Sequence, residues 1–224
     1  MNKLQTKLRS IKYIPDLFEH ARNKLRSCLH AENPINFPYG KKGLNIQSLA
    51  YKMLLNHESN AVTDSNCNKC GWTFRNASDY YPPVIERTTS SQFPTTWLKH
   101  ALTRTSRHIC QQCGEGRITF ITVWKVMPVM ICFAANQAIP RCNREIHIRS
   151  GYQITKYELK EIIYLRDFHF NARLIDSEGF VWFHDGINTG RKLIKENHID
   201  AMSENLGNCR GKLPVLLIYC KKIL

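Results

Sequence analysis

The sequence predicts an α+β fold with helices first and an antiparallel sheet after them. Three observations carry that reading. Two stretches before residue 60 place apolar residues at helical spacing, the chain beyond it breaks into short alternating apolar runs between turn residues, and a pair of C-x-x-C-G units lies between the two textures. With 224 residues, 43% of them hydrophobic and 22% charged, the chain is long and apolar enough to build a substantial core.

The first helix is expected over PDLFEHARNKLRSCLH (15–30). Pro-Asp opens it, and Leu17, Phe18, Ala21, Leu25, Cys28 and Leu29 fall along one side. The loop AENPINFPYGKKG separates it from NIQSLAYKMLLN (45–56), where Ile46, Leu49, Ala50, Met53 and Leu54 share a face. Strands are expected at 118–124, 126–134, 144–154, 158–165, 168–176, 179–186 and 213–220. HDGINTGRK and NLGNCRGK read as turns, and IKENHIDAMSENL between them as a short helix.

Net charge is +14, of which residues 1–150 hold +12. Such a field favours polyanions or acidic protein surfaces, so nucleic acid is one candidate partner. The longest apolar run, VMPVMICFAA (126–135), is about half of what a membrane crossing needs, and no apolar run follows the charged N-terminal residues; a soluble, intracellular protein (cytoplasmic or nuclear) without a membrane partner is expected.

Nine cysteines, an odd number, do not suggest a disulfide framework in such a protein. CNKC (67–70) and CQQC (110–113) suggest a metal instead. Each pair can grip an ion from a tight turn, and the Gly that follows each accepts backbone angles other residues resist. Cys67, Cys70, Cys110 and Cys113 would together complete a tetrahedron of four thiolates for structural Zn2+. Thiol exchange is the competing role of C-x-x-C, but two pairs without a βαβ pattern argue against it. His100 and His108 lie nearby, and four thiolates already satisfy the ion.

The C-terminal segments carry a more specific pattern. Tyr157-Glu-Leu159-Lys-Glu-Ile162-Ile163-Tyr, then Phe168-His169-Phe170-Asn-Ala172-Arg, then Val181-Trp182-Phe183-His184-Asp185-Gly186 resemble the closing boxes of the ubiquitin-specific proteases. Those boxes read roughly Y-x-L-x-x-V/I-I/V-x-H-x-G, G-H-Y/F-x-A and W-Y/F-x-F/Y-N/D-D/S. LPVLLIYC resembles the family's final strand, and PVMICFAAN its strand after the fingers, with Asn136 or Gln137 near a usual Arg. The likeness spans about residues 40–220. The "F-H-F-x-A-R … W-F-H-D-G" hairpin also resembles protease-like domains of fungal transposon-related proteins.

The resemblance implies a papain-like domain: a helical remnant of the thumb over 1–60, zinc-bearing fingers and the first palm strand over 61–150, and a palm with the His hairpin over 151–224. It implies that His169 stands at the general-base position and Asp185 at that of the residue orienting it, with ubiquitin or a ubiquitin-like protein as partner. The chemistry explains the pair: a cysteine nucleophile needs an imidazole to form its thiolate, and the imidazole needs an acceptor on its other nitrogen. Phe168, Phe170, Trp182 and Phe183 would wall the cleft, and His184 would point to the opposite face. The family's Cys box, N-x-G-N-T/S-C-Y/F/W-x-N, has no thiol-bearing counterpart. Cys28 lies on an expected apolar helix face, and forcing GLNIQSLAY onto the box puts Ala50 at the nucleophile. The expectation is a degenerate or truncated domain that does not cleave on its own, unless a Cys-box segment complements it; a zinc-ribbon nucleic-acid binder is the alternative.

Overall fold

The computed structural model describes residues 15–39, 45–54, 60–80, 83–136, 139–202 and 206–222. The chain divides into two compact units, one running to Asn45 and the other from Ile46. In the first unit, helix α1 (Pro15–Glu32) lies where expected. Its stripe is not buried throughout: Leu29 is, whereas Leu25 is 45% exposed and Cys28 is exposed rather than buried as expected. Helical spacing gathers residues on a side, but burying them takes a packing partner as well.

Among its described residues the second unit holds helices α2 (Ile46–Leu54) and α3 (Pro94–Leu102) and twelve strands. Strands β1 (Asn60–Cys67), β2 (Thr73–Tyr80), β4 (Thr103–Ile109) and β5 (Arg117–Trp124) form a four-stranded sheet in the order β2-β1-β5-β4. The larger sheet runs β11-β10-β9-β8-β12-β6-β3, with β7 paired to β8. Its members are β3 (Val84–Glu86), β6 (Met130–Ala134), β7 (Glu145–Ser150), β8 (Gln153–Arg166), β9 (His169–Ile175), β10 (Phe180–His184), β11 (Ile194–His198) and β12 (Leu213–Lys221). All pairings are antiparallel except β3 with β6.

β12 sits between β8 and β6, which is why LPVLLIYC is apolar almost without alternation. Pro214, which cannot donate to a ladder, falls at a register shift. The main core gathers Trp97, Ile131, Phe133, Tyr157, Ile162, Tyr164, Phe183 and Tyr219, all essentially sealed from solvent. A second cluster packs Ala50 and Leu54 of α2 on Val84, Cys132, Ala134 and Leu216. Ala50 is therefore a packing residue on the larger sheet.

Two segments depart from the expected elements. The stretch 144–154 is not one strand: Ser150 pairs with Gln153 around a two-residue turn, with Gly151 at φ +60°, and β8 continues to Arg166. IKENH, read as helical, is the edge strand β11, and only Ile199–Ala201 beyond it turns as a 3-10 helix. An edge strand exposes one side to water, so its polar sequence gives no alternation to read. Glu196 of that strand forks onto Arg173 of β9 (Nε–Oε2 2.7 Å), while Arg173 Nη1 donates to the Asn208 carbonyl at 2.9 Å. No helix among the described residues is long and apolar enough to cross a membrane.

Candidate functional site

The two C-x-x-C turns close the two hairpins of the smaller sheet, β1–β2 and β4–β5, and β1 pairs with β5, so the tips lie side by side. Each turn is made the same way. Gly71 N donates to the Cys67 carbonyl at 3.1 Å and Gly114 N to the Cys110 carbonyl at 2.8 Å, with the glycines at φ +71° and +69°. The tips are tied together by Asn68 N to Arg117 O (3.1 Å) and Arg117 N to Asn68 Oδ1 (2.8 Å).

The ligand atoms of Cys67, Cys70, Cys110 and Cys113 all lie within 4.8 Å of one another, and Cys67 Sγ is 3.8 Å from Cys113 Sγ. Four sulfurs at about 2.3 Å from a tetrahedral ion stand about 3.8 Å apart, so the cluster fits Zn2+ in spacing and in donor type. Backbone amides of Cys70 and Lys69 lower the Cys67 pKa, and the Gly116 amide, 3.4 Å from Cys113 Sγ, lowers that of Cys113. Cys70 goes the other way, to about 11, against the pull of the Trp72 amide, because burial and the crowded thiols keep a proton on it. A divalent cation is what would let all four ionise.

Gly116 is a site residue that sequence reasoning missed. A Cβ there would stand 2.5 Å from Cys67 Sγ and 2.8 Å from Lys69 Cβ. Gly116→Ala should therefore weaken zinc retention about 10–100-fold in chelator competition, as loss of a supporting contact around a metal does; unchanged retention would show that the turn yields freely. The signal was present in the sequence as a second glycine, two residues after the first, in CQQCGEG.

His169 opens β9 and Asp185 directly follows β10. Register brings the ends together: β9 and β10 pair His184 with Ala172, and His169 sits opposite Arg166 across a two-residue turn of Asp167 and Phe168, both at positive φ (51° and 60°). His169 Nε2 lies 2.8 Å from Asp185 Oδ1. The Asp185 side chain is 4% exposed and that of His169 26%.

Burial alone would raise the Asp185 pKa. The Asn188 side-chain amide, the Asn188 and Ile187 backbone amides and His169 outweigh it, and hold the carboxyl far below the usual carboxylate range. Oδ1 accepts from Ile187 N (3.0 Å) and Asn188 N (3.1 Å), and Oδ2 from Asn188 Nδ2 (2.8 Å). Thr189 closes the turn, its N and Oγ1 both donating to the Asp185 carbonyl at 2.7 and 2.8 Å. An ionised carboxylate only accepts, so Nε2 is the donor in the bond to Asp185. Asn188 and Thr189 were read only as turn residues.

The expected aromatic wall is not one surface, because neighbours along a strand point to opposite faces. Phe183 is buried on the His169 side beneath Arg210, whose guanidinium is 3.7 Å from the ring centroid. Phe170 and Trp182 alternate onto the other face, and Phe168 is 84% exposed in the turn. His184 also lies on that other face, its Nε2 3.0 Å from the Gly190 carbonyl. Asn136, at φ +48°, accepts a hydrogen bond from Gln47 of α2; Gln137 lies outside the described residues. Asn171 follows His169 on the same face, buried, with neither end of its amide partnered among the described residues.

No protein-family model matches the sequence. No curated protein matches it either. Solved structures do share its fold. One is a SAGA DUB module of Ubp8, Sgf11, Sus1 and Sgf73 bound to monoubiquitin, with TM-score 0.52 and 10% identity, covering 75% of this chain and 41% of that one. Another is the Ubp8/Sgf11/Sus1/Sgf73 DUB module bound to ubiquitin aldehyde, with TM-score 0.53 and 9% identity, covering 75% and 42%. The fold is α+β of the ubiquitin-specific protease type. This chain spans about two fifths of the length of the neighbours it matches.

Proposed function

We propose that this chain is a ubiquitin-specific-protease-like binding domain: zinc on Cys67, Cys70, Cys110 and Cys113 stiffens the smaller sheet, and the larger sheet carries a His169–Asp185 pair without a thiol of its own. The observation that supports this most is the bond between His169 Nε2 and a buried, ionised Asp185 on a fold of this type. In the general chemistry of such pairs, the carboxylate fixes the imidazole tautomer and leaves the opposite nitrogen free to take a thiol proton. Among the described residues from Ile46 onward, no cysteine hydrogen-bonds His169. Burial raises the pKa of Cys132 and Cys142 to about 12 and also raises those of Cys209 and Cys220, which is the opposite of an activated nucleophile. The partner is ubiquitin or a ubiquitin-like protein, as the fold of the neighbours suggests.

The test separates binding from cleavage. Titration with ubiquitin should give a saturable complex, while a ubiquitin probe bearing a cysteine-trapping electrophile should label no thiol. Labelling lost in both Cys28→Ala and His169→Ala, but kept in Cys132→Ala, would reveal a live peptidase and overturn the proposal. The complete geometry of the pair favours one second reading, in which a thiol supplied by another segment would find its base ready. Labelling that appears only on adding such a segment would establish it.

A further inference from the structure

The face of the larger sheet that carries His184, opposite the face of His169, holds two unbroken cross-strand rows. One runs from Cys132 of β6 through Ile218, Glu161, Leu174 and Trp182 to Lys195 of β11. The next runs from Ala134 through Leu216, Ile163 and Ala172 to His184. Directly paired residues share a face, so the two rows form one surface. Helix α2 packs on its β6 end, where Cys132, Ala134 and Leu216 are at most 2% exposed. Farther along the same rows, Ile163, Glu161, Ala172, Leu174 and Trp182 are only half-buried.

Glu161 is the misfit on this surface. Its carboxyl has no hydrogen-bond or ion-pair partner among the described residues, although three cationic side chains are near it in the rows or the chain. Each is engaged elsewhere: Lys160 lies 2.8 Å from Glu158, Lys195 Nζ 3.5 Å from the Phe180 ring centroid, and His184 Nε2 3.0 Å from the Gly190 carbonyl. Burial raises the Glu161 pKa, and the charge of His184 lowers it only in part. A half-buried carboxyl without a cation costs the chain stability, so its use lies outside the chain's own packing. The strands β8, β9 and β10 span about 10 Å across, two interstrand spacings, which is the width of one α-helix with its side chains. Helix α2 already shows how a helix seats on these rows. We propose that a partner protein lays an amphipathic helix across β8, β9 and β10, its apolar stripe on Ile163, Leu174 and Trp182 and a Lys or Arg of that stripe on Glu161. Lys195, at the end of the row, favours an acidic residue at the helix edge. A second copy of the chain is the poorer occupant, because two molecules of net charge +14 repel each other.

The probes are fluorescein-labelled, stapled helices of about 18 residues with a Leu/Ala stripe and Glu at the edges, differing only at the centre of the stripe, which is Lys, Leu or Glu. Anisotropy with the full, zinc-loaded chain should show saturable binding of the Lys helix, binding about tenfold weaker for the Leu helix, and weaker still for the Glu helix. Glu161→Gln should bring the Lys and Leu helices to equal affinity, Glu161→Lys should turn the preference towards the Glu helix, and Leu174→Asp should lose about tenfold or more for all three. Because the carboxyl serves the partner, Glu161→Gln should melt no lower than the unmutated chain. Zinc content and circular dichroism report whether each variant is folded. A benzophenone in the stripe of the Lys helix should crosslink the unmutated chain within β8–β10, which tests the face without any substitution. No saturable binding of the Lys helix, equal affinity for the Lys and Glu helices, a preference that survives Glu161→Gln, or crosslinks confined to the smaller sheet would each overturn the inference. A lower melting temperature in Glu161→Gln would overturn it too, by making the carboxyl part of the chain's own packing. Self-association abolished by Leu174→Asp would assign the face to a second copy, and displacement of the Lys helix by ubiquitin would assign it to ubiquitin; either result also overturns the inference. No variant here touches His169 or Asp185, so failure leaves the ubiquitin-binding proposal standing.

Discussion

Cys110→Ser should release stoichiometric zinc and melt the tips of both hairpins. The smaller sheet is anchored at one end only: Ala61 of β1 and Trp124 of β5 belong to the main core, whereas β4 is exposed along nearly its whole length. Towards the turns, apolar burial gives way to the sulfurs of Cys67 and Cys110, both almost fully buried although they are thiols. Without a cation those sulfurs are crowded, polar and close together, and the hairpin ends have no core beneath them. Metal-binding energy in such sites is folding energy. The expected result is one zinc per chain in the reduced protein, a melting temperature lowered by about ten degrees or more after chelation or Cys110→Ser, and amide protection lost from Cys67–Arg75 and Ile109–Arg117 but kept at Ala61 and Trp124. Reduced protein without zinc, or protection unchanged by chelation, would refute the metal site. The loss is local because the larger sheet draws its packing from Phe133, Tyr157, Tyr164 and Tyr219.

What the sequence disclosed depended on how local the signal was. The paired C-x-x-C-G units show their turns directly, since the spacing and the glycine together describe one conformation. LPVLLIYC announced a buried strand by its continuous apolar run. The strands β1, β2 and β4, by contrast, were not anticipated, because NAVTDSNC, TFRNASDY and TRTSRHI form a largely exposed sheet with little apolar alternation. Helix α3 was missed as well: PTTWLKHAL is short and opens without a side-chain cap, and it is specified mainly by Trp97 and Leu98 meeting the core. On β9 the clue lay in plain sight. His169, Asn171 and Arg173 occupy alternate positions on the face that turns inward, where an amphipathic strand would carry apolar residues. Polar side chains kept on a core face need partners, and Arg173 and His169 find theirs in Glu196 and Asp185.

Asp185→Ala should both destabilise the chain and release the tautomer of His169. The carboxylate is the acceptor for two backbone amides, one side-chain amide and one imidazole, so its removal strands several donors in a nearly buried turn. A loss of about 2–4 kcal/mol is expected, the range for removing one partner from a buried charged network. The pH dependence follows from the direction of the shift. The folded carboxyl titrates well below its ordinary value, so its contribution is fully present above the unfolded aspartate pKa of about 4 and fades as pH falls from there towards the folded value. Urea unfolding across that acid range should show stability falling in the unmutated chain and a flatter profile in Asp185→Asn. A turn-stapling role for Asp185 would produce these stability effects equally well, so a second readout is needed. Nitrogen chemical shifts of the His169 ring should show the proton on Nε2 in the unmutated chain and a mixture of tautomers in Asp185→Ala. The same tautomer in both would mean that Asp185 holds only the turn, and that His169 is not an oriented base.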